Sequence, residues 1–317
     1  MARLAGIDLD LFPLNLGGNP FGWTCDKDAS FAVLDAFVEA GGNFVDTADL
    51  YSAWVPGNSG GESEAIIGEW LAARGCRDRV AIATKTGAPE LGTGLSKRAV
   101  ESALERSLHR LGTEYVDLYY AHFDDADTPL EETVAAFGAL VADGLVRYTA
   151  VSNYSAARVR EWVRIADELG VARPVALQPH YNLVHRETED ELIPAADELG
   201  LGVVPYFALA KGFLTGKYRT PDAEGHSSPR ATQATSYATP QGLQILDVLD
   251  RIGAERGIAP ASVALAWLRA KPAVVAPIAS ASRLDQLPAL LAGATTDLTA
   301  DEVAALDAVS EWTPADM

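Results

Sequence analysis

The chain has 317 residues and a formal net charge of −19 at pH 7. This length accommodates one α/β barrel of about 250 residues with insertions, or two domains of ordinary size. The negative charge occurs without a basic stripe, so the average field repels polyanions and excludes nucleic acid as an expected partner.

Eight short apolar runs suited to buried strands alternate along the chain with segments of helical period. In chain order they are PLNLGG, NFVDT, VAIATK, VDLYYAH, VRYTAVSN, VALQ, GVVPY and AVVAPIA. Near-continuous apolar strands in βα order are typical of a parallel sheet that is covered on both sides and closed into a barrel. The sequence therefore predicts an α/β protein with a TIM (β/α)8 barrel, and residues 1–317 are expected to form one domain.

Three segments do not fit this repeat. Residues 3–15, RLAGIDLDLFPLN, predict an N-terminal hairpin that seals the floor of the barrel. Residues 219–240 are long, polar and rich in proline, and predict a surface loop that closes over the pocket, with plain disorder as the alternative. Residues 241–257 predict an extra peripheral helix outside the barrel.

Local signals mark the ends of several helices. TPLEET predicts Thr128 as an N-cap and Glu131 as its capping-box partner, with Pro129 at the first helical position. Glycines stand where three helices are expected to end, namely Gly112, Gly144 and Gly170.

The two cysteines, Cys25 and Cys76, are too few for a disulfide framework and lack metal-ligand spacing. Both are expected to be structural thiols, and no metal site is predicted. The first residues do not have a signal-peptide pattern, and no run of about 18 apolar residues occurs. The sequence therefore predicts a cytoplasmic location and no contact with a membrane.

Polar side chains collect where the predicted strands end, which is where barrel enzymes have their active sites. Asp46 and Tyr51 follow the second strand, Lys85 the third and His122 the fourth. A lone residue of any of these types is more often structural. Four of them directed into one mouth instead predict a proton-donor group.

The chemistry of this group follows from its side chains. A phenol has a pKa of about 10, and a neighbouring ammonium lowers that pKa because it favours the phenolate. Lys85 is expected to supply the charge, and Asp46 is expected to hold the buried ammonium as an ion pair. His122 can hydrogen-bond a carbonyl oxygen, to which Tyr51 then delivers a proton.

A proton donor for a carbonyl needs a source of hydride or another nucleophile. GGNPFG lacks the glycine spacing of a Rossmann fingerprint, and GFLTGKY lacks the spacing of a P-loop. PIASASRLDQL follows the eighth strand and opens a helix, so Ser280, Ser282 and Arg283 are predicted to hold a phosphate, with an ordinary capped surface helix as the alternative.

Further polar residues follow the fifth to seventh strands and complete the predicted pocket. Ser152, Asn153 and Gln178 offer donors and acceptors suited to a carboxamide, and Tyr206 offers a face on which a flat ring can stack. Together they predict a nicotinamide pocket.

The stretches that carry these residues resemble the aldo-keto reductases in order and spacing over nearly the whole chain. They are LGGNPFGW, DTADLYS, ATKTG, DLYYAHFDDADTPLEET, GLVRYTAVSNYSA, LQPHYNLV, GLGVVPYFALAKGFLTGKY and PIASASRLDQL. The resemblance implies reversible hydride transfer between NADPH and an aldehyde or ketone, with Tyr51 as general acid. It also implies the catalytic set Asp46, Tyr51, Lys85 and His122.

The resemblance further implies a set of cofactor-binding residues. They are Gly18, Asn19, Asp46, Ser152, Asn153, Gln178, Tyr206, Phe207, Leu209, Lys211, Ser280, Ser282, Arg283 and Gln286. Among these, Ser282, Arg283 and Gln286 correspond to the contacts of the 2′-phosphate of NADP. Three positions depart from the common pattern and bear on cofactor affinity: Phe207 replaces a serine, Ser280 a glycine and Leu290 an asparagine.

Aromatic residues after the first, second and fourth strands predict an apolar wall for a small-molecule carbonyl substrate, with rim packing as the alternative. The expected substrate-binding residues are Trp23, Tyr51, Trp54, His122 and Phe123. The sequence carries no signal for a particular substrate or oligomeric state.

Two other functions are alternatives to a reductase. One is a nucleotide-binding regulatory subunit with little turnover, because related barrels serve membrane proteins in that way. The other is a Schiff-base aldolase with Lys85 as nucleophile.

Overall fold

The computed structural model describes residues 7–220 and 228–312. Eight parallel strands form one sheet in the order β7-β6-β5-β4-β3-β2-β1-β8. The strands are β1 (Asn15–Gly17), β2 (Phe44–Asp46), β3 (Ala81–Thr86), β4 (Val116–Ala121), β5 (Val146–Ser152), β6 (Pro174–Gln178), β7 (Gly202–Val203) and β8 (Ile278–Ala279). Each strand coincides with one of the eight predicted runs, although β3 ends one residue after its run, at Thr86, and β6 begins one residue before its run, at Pro174.

The two ends of the sheet meet through the segment that precedes β8. Val203 N donates to Ala273 O at 2.7 Å, and Val275 N donates to Val203 O at 2.9 Å. Farther along, Ile278 N donates to Pro205 O at 2.8 Å. These bonds join β7 to the chain that enters β8, so the predicted (β/α)8 barrel is confirmed.

Helices surround the sheet. They are α1 (Lys27–Glu39), α2 (Glu62–Arg74), α3 (Lys97–Leu111), α4 (Leu130–Ala142), α5 (Ala156–Leu169), α6 (Leu192–Leu199), α7 (Ala231–Thr235), α8 (Pro240–Arg256), α9 (Pro260–Arg269), α10 (Leu287–Thr295) and α11 (Ala300–Val309). The extra helix predicted at 241–257 is α8, which packs against α9 and α11. None of the helices in the described ranges has the length and apolar character needed to cross a bilayer.

Alternate residues of the strands face opposite sides of the sheet and build two cores. Phe44, Leu118 and Tyr120 point into the barrel and pack in one cluster. Val45 and Tyr119, their neighbours in sequence, belong to the larger cluster between strands and helices. Burial on both faces explains why the strands read as almost continuous apolar runs.

The N-terminal segment closes the amino end of the barrel, as predicted. Leu11 is fully buried in the inner core. Asn43, which directly precedes β2, accepts from Phe12 N and donates to Asp10 O, each at 2.8 Å. Residues 3–6 of the predicted hairpin lie outside the described residues.

The predicted helix ends are partly right. Gly112 and Gly170 follow α3 and α5 with φ of 61° and 66°, a left-handed conformation that suits glycine. The capping box predicted at TPLEET is wrong, because α4 has Pro129 as its N-cap and no side-chain cap. The Thr128 hydroxyl instead donates to Asp125 Oδ2 at 2.7 Å.

Residues 221–227 of the predicted loop lie outside the described residues. The described remainder of that loop includes α7 and runs along the carboxyl end of the barrel, where Ser228 and Arg230 line the central cavity. Both cysteines, Cys25 and Cys76, are buried and unpaired thiols.

Candidate active site

The four predicted catalytic residues meet at the carboxyl end of three adjacent strands. Asp46 ends β2, Lys85 lies near the end of β3, and His122 directly follows β4. Tyr51 reaches the same place from the loop after β2. Its hydroxyl donates to Asp46 Oδ2 at 2.9 Å and accepts from Lys85 Nζ at 3.0 Å.

Asp46 and Lys85 form an ion pair that is removed from solvent. The distance between Lys85 Nζ and Asp46 Oδ2 is 2.6 Å, and both side chains are 0% exposed. Lys85 Nζ also donates to Thr47 O at 2.7 Å. Burial lowers the pKa of Lys85, while the charge of Asp46 raises it in opposition. The ammonium is thus held in the barrel by three oxygen acceptors.

The pKa of Tyr51 is shifted in the direction opposite to the one expected from Lys85. Burial, followed by the charge of Asp46, raises the pKa of Tyr51 well above its ordinary value. The physical reason is that Asp46 lies as close to the phenol as Lys85 does, and it neutralises the ammonium. The tyrosine is therefore held in its protonated form, as an acid must be before it acts.

His122 is neutral for similar reasons. Burial and the charge of Lys85 lower the pKa of His122 well below its ordinary value. Its ring centroid lies 6.4 Å from that of Tyr51 and 4.8 Å from that of Phe123. A neutral imidazole beside the phenol is suited to hydrogen-bonding a carbonyl oxygen without competing for the proton of Tyr51.

The predicted nicotinamide residues are hydrogen-bonded to the catalytic group. Asn153 Nδ2 donates to His122 O at 2.9 Å, and the Tyr206 hydroxyl donates to Asn153 Oδ1 at 2.8 Å. Ser152 Oγ donates to Gln178 O at 2.8 Å. Asn153 has a φ of 56°, an uncommon conformation for a residue other than glycine. These bonds join the ends of β5, β6 and β7 into one wall of the site.

A cavity of about 660 Å³ opens at this end of the barrel and extends to the residues after β8. All five predicted substrate-binding residues line it, as do twelve of the fourteen predicted cofactor-binding residues. Asp46 and Gly18 do not line it. The Gly18 backbone is instead hydrogen-bonded between β2 and α2: its N donates to Asp46 O at 2.7 Å, and its O accepts from Ser63 Oγ at 2.8 Å.

The far end of the cavity is polar. Ser282 N donates to Gln286 Oε1 at 2.9 Å, and Ser280 Oγ donates to Asn19 Oδ1 at 3.0 Å. The Arg283 side chain is two-thirds exposed and pairs with Asp285, two residues along the chain. An exposed pair of this kind is weak, so the guanidinium is available for another anion.

The segment between the two ends has a strained backbone. Phe207, Ala210 and Lys211 have φ of 50°, 48° and 58°, and Phe207 and Lys211 line the cavity. Left-handed conformations at residues other than glycine cost about 1–3 kcal/mol each and cluster where backbone contacts a ligand. Leu290, one of the three departures, is buried in the core and also borders the cavity.

Several lining residues were missed by the sequence analysis. They include Gly17, Lys217 and Arg230. Lys217 stands in GFLTGKY, a stretch that was compared with a P-loop and rejected because of its spacing. Arg230 lies in the 219–240 loop that was expected to close over the pocket, but no pattern within that loop singles out one lining residue.

Comparison with known proteins gives a consistent result. The model of the aldo/keto reductase family matches residues 13–311. Norsolorinic acid reductase B of Aspergillus parasiticus is 32% identical over 95% of this chain and 81% of its own length. The uncharacterized oxidoreductase YrpG of Bacillus subtilis is 35% identical over 86% and 84%, respectively.

A probable voltage-gated potassium channel subunit beta of Oryza sativa subsp. japonica is 33% identical over 84% of this chain and 82% of its own length. The similarity to each of the three relatives extends over more than four fifths of this chain. On the fold, the site and these matches, the chain belongs to the aldo/keto reductase family and is an oxidoreductase of carbonyl compounds.

Proposed function

We propose that this protein transfers a hydride reversibly between NADPH and the carbonyl carbon of an aldehyde or ketone, with Tyr51 as the general acid. One observation carries the proposal. The Tyr51 hydroxyl lies within 3.0 Å of both Asp46 Oδ2 and Lys85 Nζ, and the phenol borders the cavity beside His122. The family match over residues 13–311 supports the related proposal that the chain forms a single barrel domain.

The residues around the cavity fit a nicotinamide dinucleotide. Its volume of about 660 Å³ is within the range of about 300–1,000 Å³ that ligand sites occupy. Asn153 and Gln178 supply amide groups in the lining of the same cavity as Tyr51, which suits the carboxamide of nicotinamide. Arg283 and Ser282 supply a guanidinium and a hydroxyl at the far end, which suits a 2′-phosphate.

The mechanism assigns each catalytic residue a step. When bound, NADPH supplies the hydride. His122 hydrogen-bonds the substrate oxygen and orients it toward the phenol. As that oxygen gains negative charge, Tyr51 donates its proton to it, and the phenolate that remains is stabilised by Lys85 at 3.0 Å. Asp46 keeps the ammonium in place, and alcohol oxidation uses the same groups in reverse.

The three departures bear on affinity rather than on proton transfer. The Phe207 ring lies 5.0 Å from Lys211 Nζ, an arrangement that orients the ammonium. Ser280 is held by Asn19, whereas Leu290 offers only apolar contact to an adenine ring. We infer that selectivity for NADPH over NADH depends chiefly on Arg283.

Steady-state oxidation of NADPH with 4-nitrobenzaldehyde tests the function. Tyr51→Phe should lower kcat by about 10²- to 10⁴-fold, because the ring remains and only the proton donor is lost. Tyr115→Phe is the matched control, since that half-buried ring lies near the amino end of the barrel, between Arg77 and Arg147. Equal activity of the Tyr51→Phe enzyme and the wild type would refute the proposed acid.

The similarity to a probable potassium channel subunit supports a second candidate, a regulatory subunit that binds NADPH with little turnover. Tight binding of NADPH without its oxidation across a broad panel of carbonyl compounds would favour that function. The aldolase alternative is opposed by Lys85 itself. Its ammonium is fully buried and donates to three oxygens, so it is not available as a nucleophile.

A further inference from the structure

Arg230 is a lining residue of the cavity to which the proposed reaction assigns no step. It directly precedes α7 on the segment between β7 and α8. Its guanidinium carbon lies 5.1 Å from the centroid of the Trp23 ring, so the cation rests against the aromatic wall of the site. The side chain is thus brought to the substrate end of the cavity by a loop distant in sequence from the catalytic strands.

No carboxylate among the described residues pairs with the Arg230 guanidinium, although acidic residues outnumber basic ones by 44 to 25 in the whole chain. Arg219, on the same segment, is paired with Asp247 and Asp250 of α8. A partly buried cation without a counter-ion is costly, because burial removes part of its hydration. An anion bound in the cavity would supply the counter-ion of Arg230.

The surrounding charges agree with this interpretation. Burial lowers the pKa of Arg230, and burial followed by the charge of Arg230 lowers the pKa of Lys211. Both cations line the same cavity. Two cations that repel each other across a cavity are stabilised when an oxyanion lies near them.

The walls next to Arg230 are apolar. The ring centroids of Trp23 and Trp54 lie 5.5 Å apart, and those of Trp54 and Tyr51 lie 6.2 Å apart. A molecule bound there would have its apolar body against the indoles and its carbonyl at Tyr51. A negatively charged group on such a molecule would be within the influence of Arg230.

We propose that Arg230 binds the carboxylate of the carbonyl substrate, so that the preferred substrates are aldehydes or ketones that carry an acid group on an aromatic or aliphatic body. The inference rests on the proposed reductase function and names the substrate class. The shared chemistry is an oxyanion, and the diphosphate of the cofactor is the other source of one in this cavity. The contact with Trp23 on the substrate side favours the carboxylate.

A matched pair of substrates tests the proposal in the full-length protein. The acid is 4-carboxybenzaldehyde, and its neutral counterpart is methyl 4-formylbenzoate. In Arg230→Gln, the ratio of kcat/KM for the acid to kcat/KM for the ester should fall by about 10- to 100-fold, the usual value of a charged hydrogen bond. Arg230→Lys should keep part of the ratio, and Arg219→Gln, the control on the same segment, should leave it unchanged.

The other outcomes separate the two anions and the two proposals. If Arg230→Gln lowers kcat/KM equally for the acid and the ester, the carboxylate contact is overturned. If the variant also binds NADPH more weakly by a similar factor, measured by fluorescence titration, the anion at Arg230 is the diphosphate of the cofactor. Calorimetric binding of benzoate to the NADPH-loaded protein requires no turnover. Benzoate that binds the wild type and not Arg230→Gln supports the carboxylate site even if neither aldehyde is reduced, in which case the reductase function alone fails.

Discussion

Gln178 Nε2 donates to Asp46 Oδ1 at 3.0 Å, although 132 residues separate the two in the chain. The other carboxylate oxygen of Asp46 accepts from Lys85 and Tyr51. Gln178, expected to bind the nicotinamide, therefore also fixes the carboxylate on which the proton donor depends. The residues proposed for cofactor binding and for proton transfer therefore share one hydrogen-bond network across the barrel.

Replacement of Gln178 by leucine should impair both functions. It leaves Asp46 Oδ1 without its donor, and a lost hydrogen bond to a charged group costs about 1.5–3 kcal/mol. We expect kcat to fall by about 10- to 100-fold and the dissociation constant of NADPH to rise. Stopped-flow turnover and fluorescence titration measure the two effects. Weaker NADPH binding with an unchanged kcat would disprove the link to Asp46.

Much of this network follows from the sequence, because strand ends are specified by local pattern. Lys85 and His122 stand directly at the ends of long apolar runs, and the barrel topology then brings them together. The pKa of Tyr51 was beyond such reasoning, since its direction depends first on the burial of the phenol and then on Asp46, 2.9 Å away. Arg230 was missed because its loop, although expected over the pocket, has no periodicity that shows which of its side chains faces the cavity.

Smaller differences from the sequence predictions have equally local causes. Gly18 stays a predicted cofactor residue, but Gly17 is the neighbour that lines the cavity, because the Gly18 N–H pairs with the end of β2. The cap of α4 was wrong because Asp125 accepts the Thr128 hydroxyl. In both cases the donor group hydrogen-bonds a partner that the local sequence pattern does not indicate.

Lys85→Met should destabilise the fold as well as abolish turnover. The methionine fills similar space but leaves Asp46 buried without its counter-ion, which typically costs about 3–5 kcal/mol. Urea denaturation measures the free energy of unfolding. The double variant Asp46→Asn/Lys85→Met should be more stable than Lys85→Met alone, because it removes the orphaned charge. If the double variant were the less stable one, the buried charge would not be the cause.

The free energy of unfolding should fall as the pH rises from about 4 to about 6, because the buried carboxyl of Asp49 ionises in the folded protein. Burial and the nearby charge of Glu64 raise the pKa of Asp49 from 3.8 to about 6. The folded state therefore binds more protons than the unfolded state in this window, and the stabilisation is lost as the pH passes through the folded pKa. The loss amounts to about 3 kcal/mol.

Asp49→Asn provides the measurement for that window. The amide cannot ionise, so the variant should be more stable than the wild type at pH 8 and lose that advantage at pH 4. Urea denaturation at both pH values gives the two differences. A stability difference that does not change with pH would show that ionisation of Asp49 is not involved.

Arg283→Ala should raise KM for NADPH by about 10- to 100-fold, because a charged contact to the 2′-phosphate is lost. KM for NADH should hardly change, since that cofactor has no 2′-phosphate. Asp285→Ala is the control: it removes the exposed partner of Arg283 and should alter KM for NADPH only slightly. Equal effects of Arg283→Ala on both cofactors would remove Arg283 from the phosphate site.

The proposed role of Tyr51 is to give the proton while Asp46 and Lys85 hold their ion pair. Its most direct test is a single turnover, in which the NADPH-loaded protein is mixed with 4-nitrobenzaldehyde and the loss of nicotinamide absorbance is followed. Tyr51→Phe should bind NADPH as the wild type does, yet oxidise it about 10²- to 10⁴-fold more slowly. Oxidation at the wild-type rate by that variant would contradict the account.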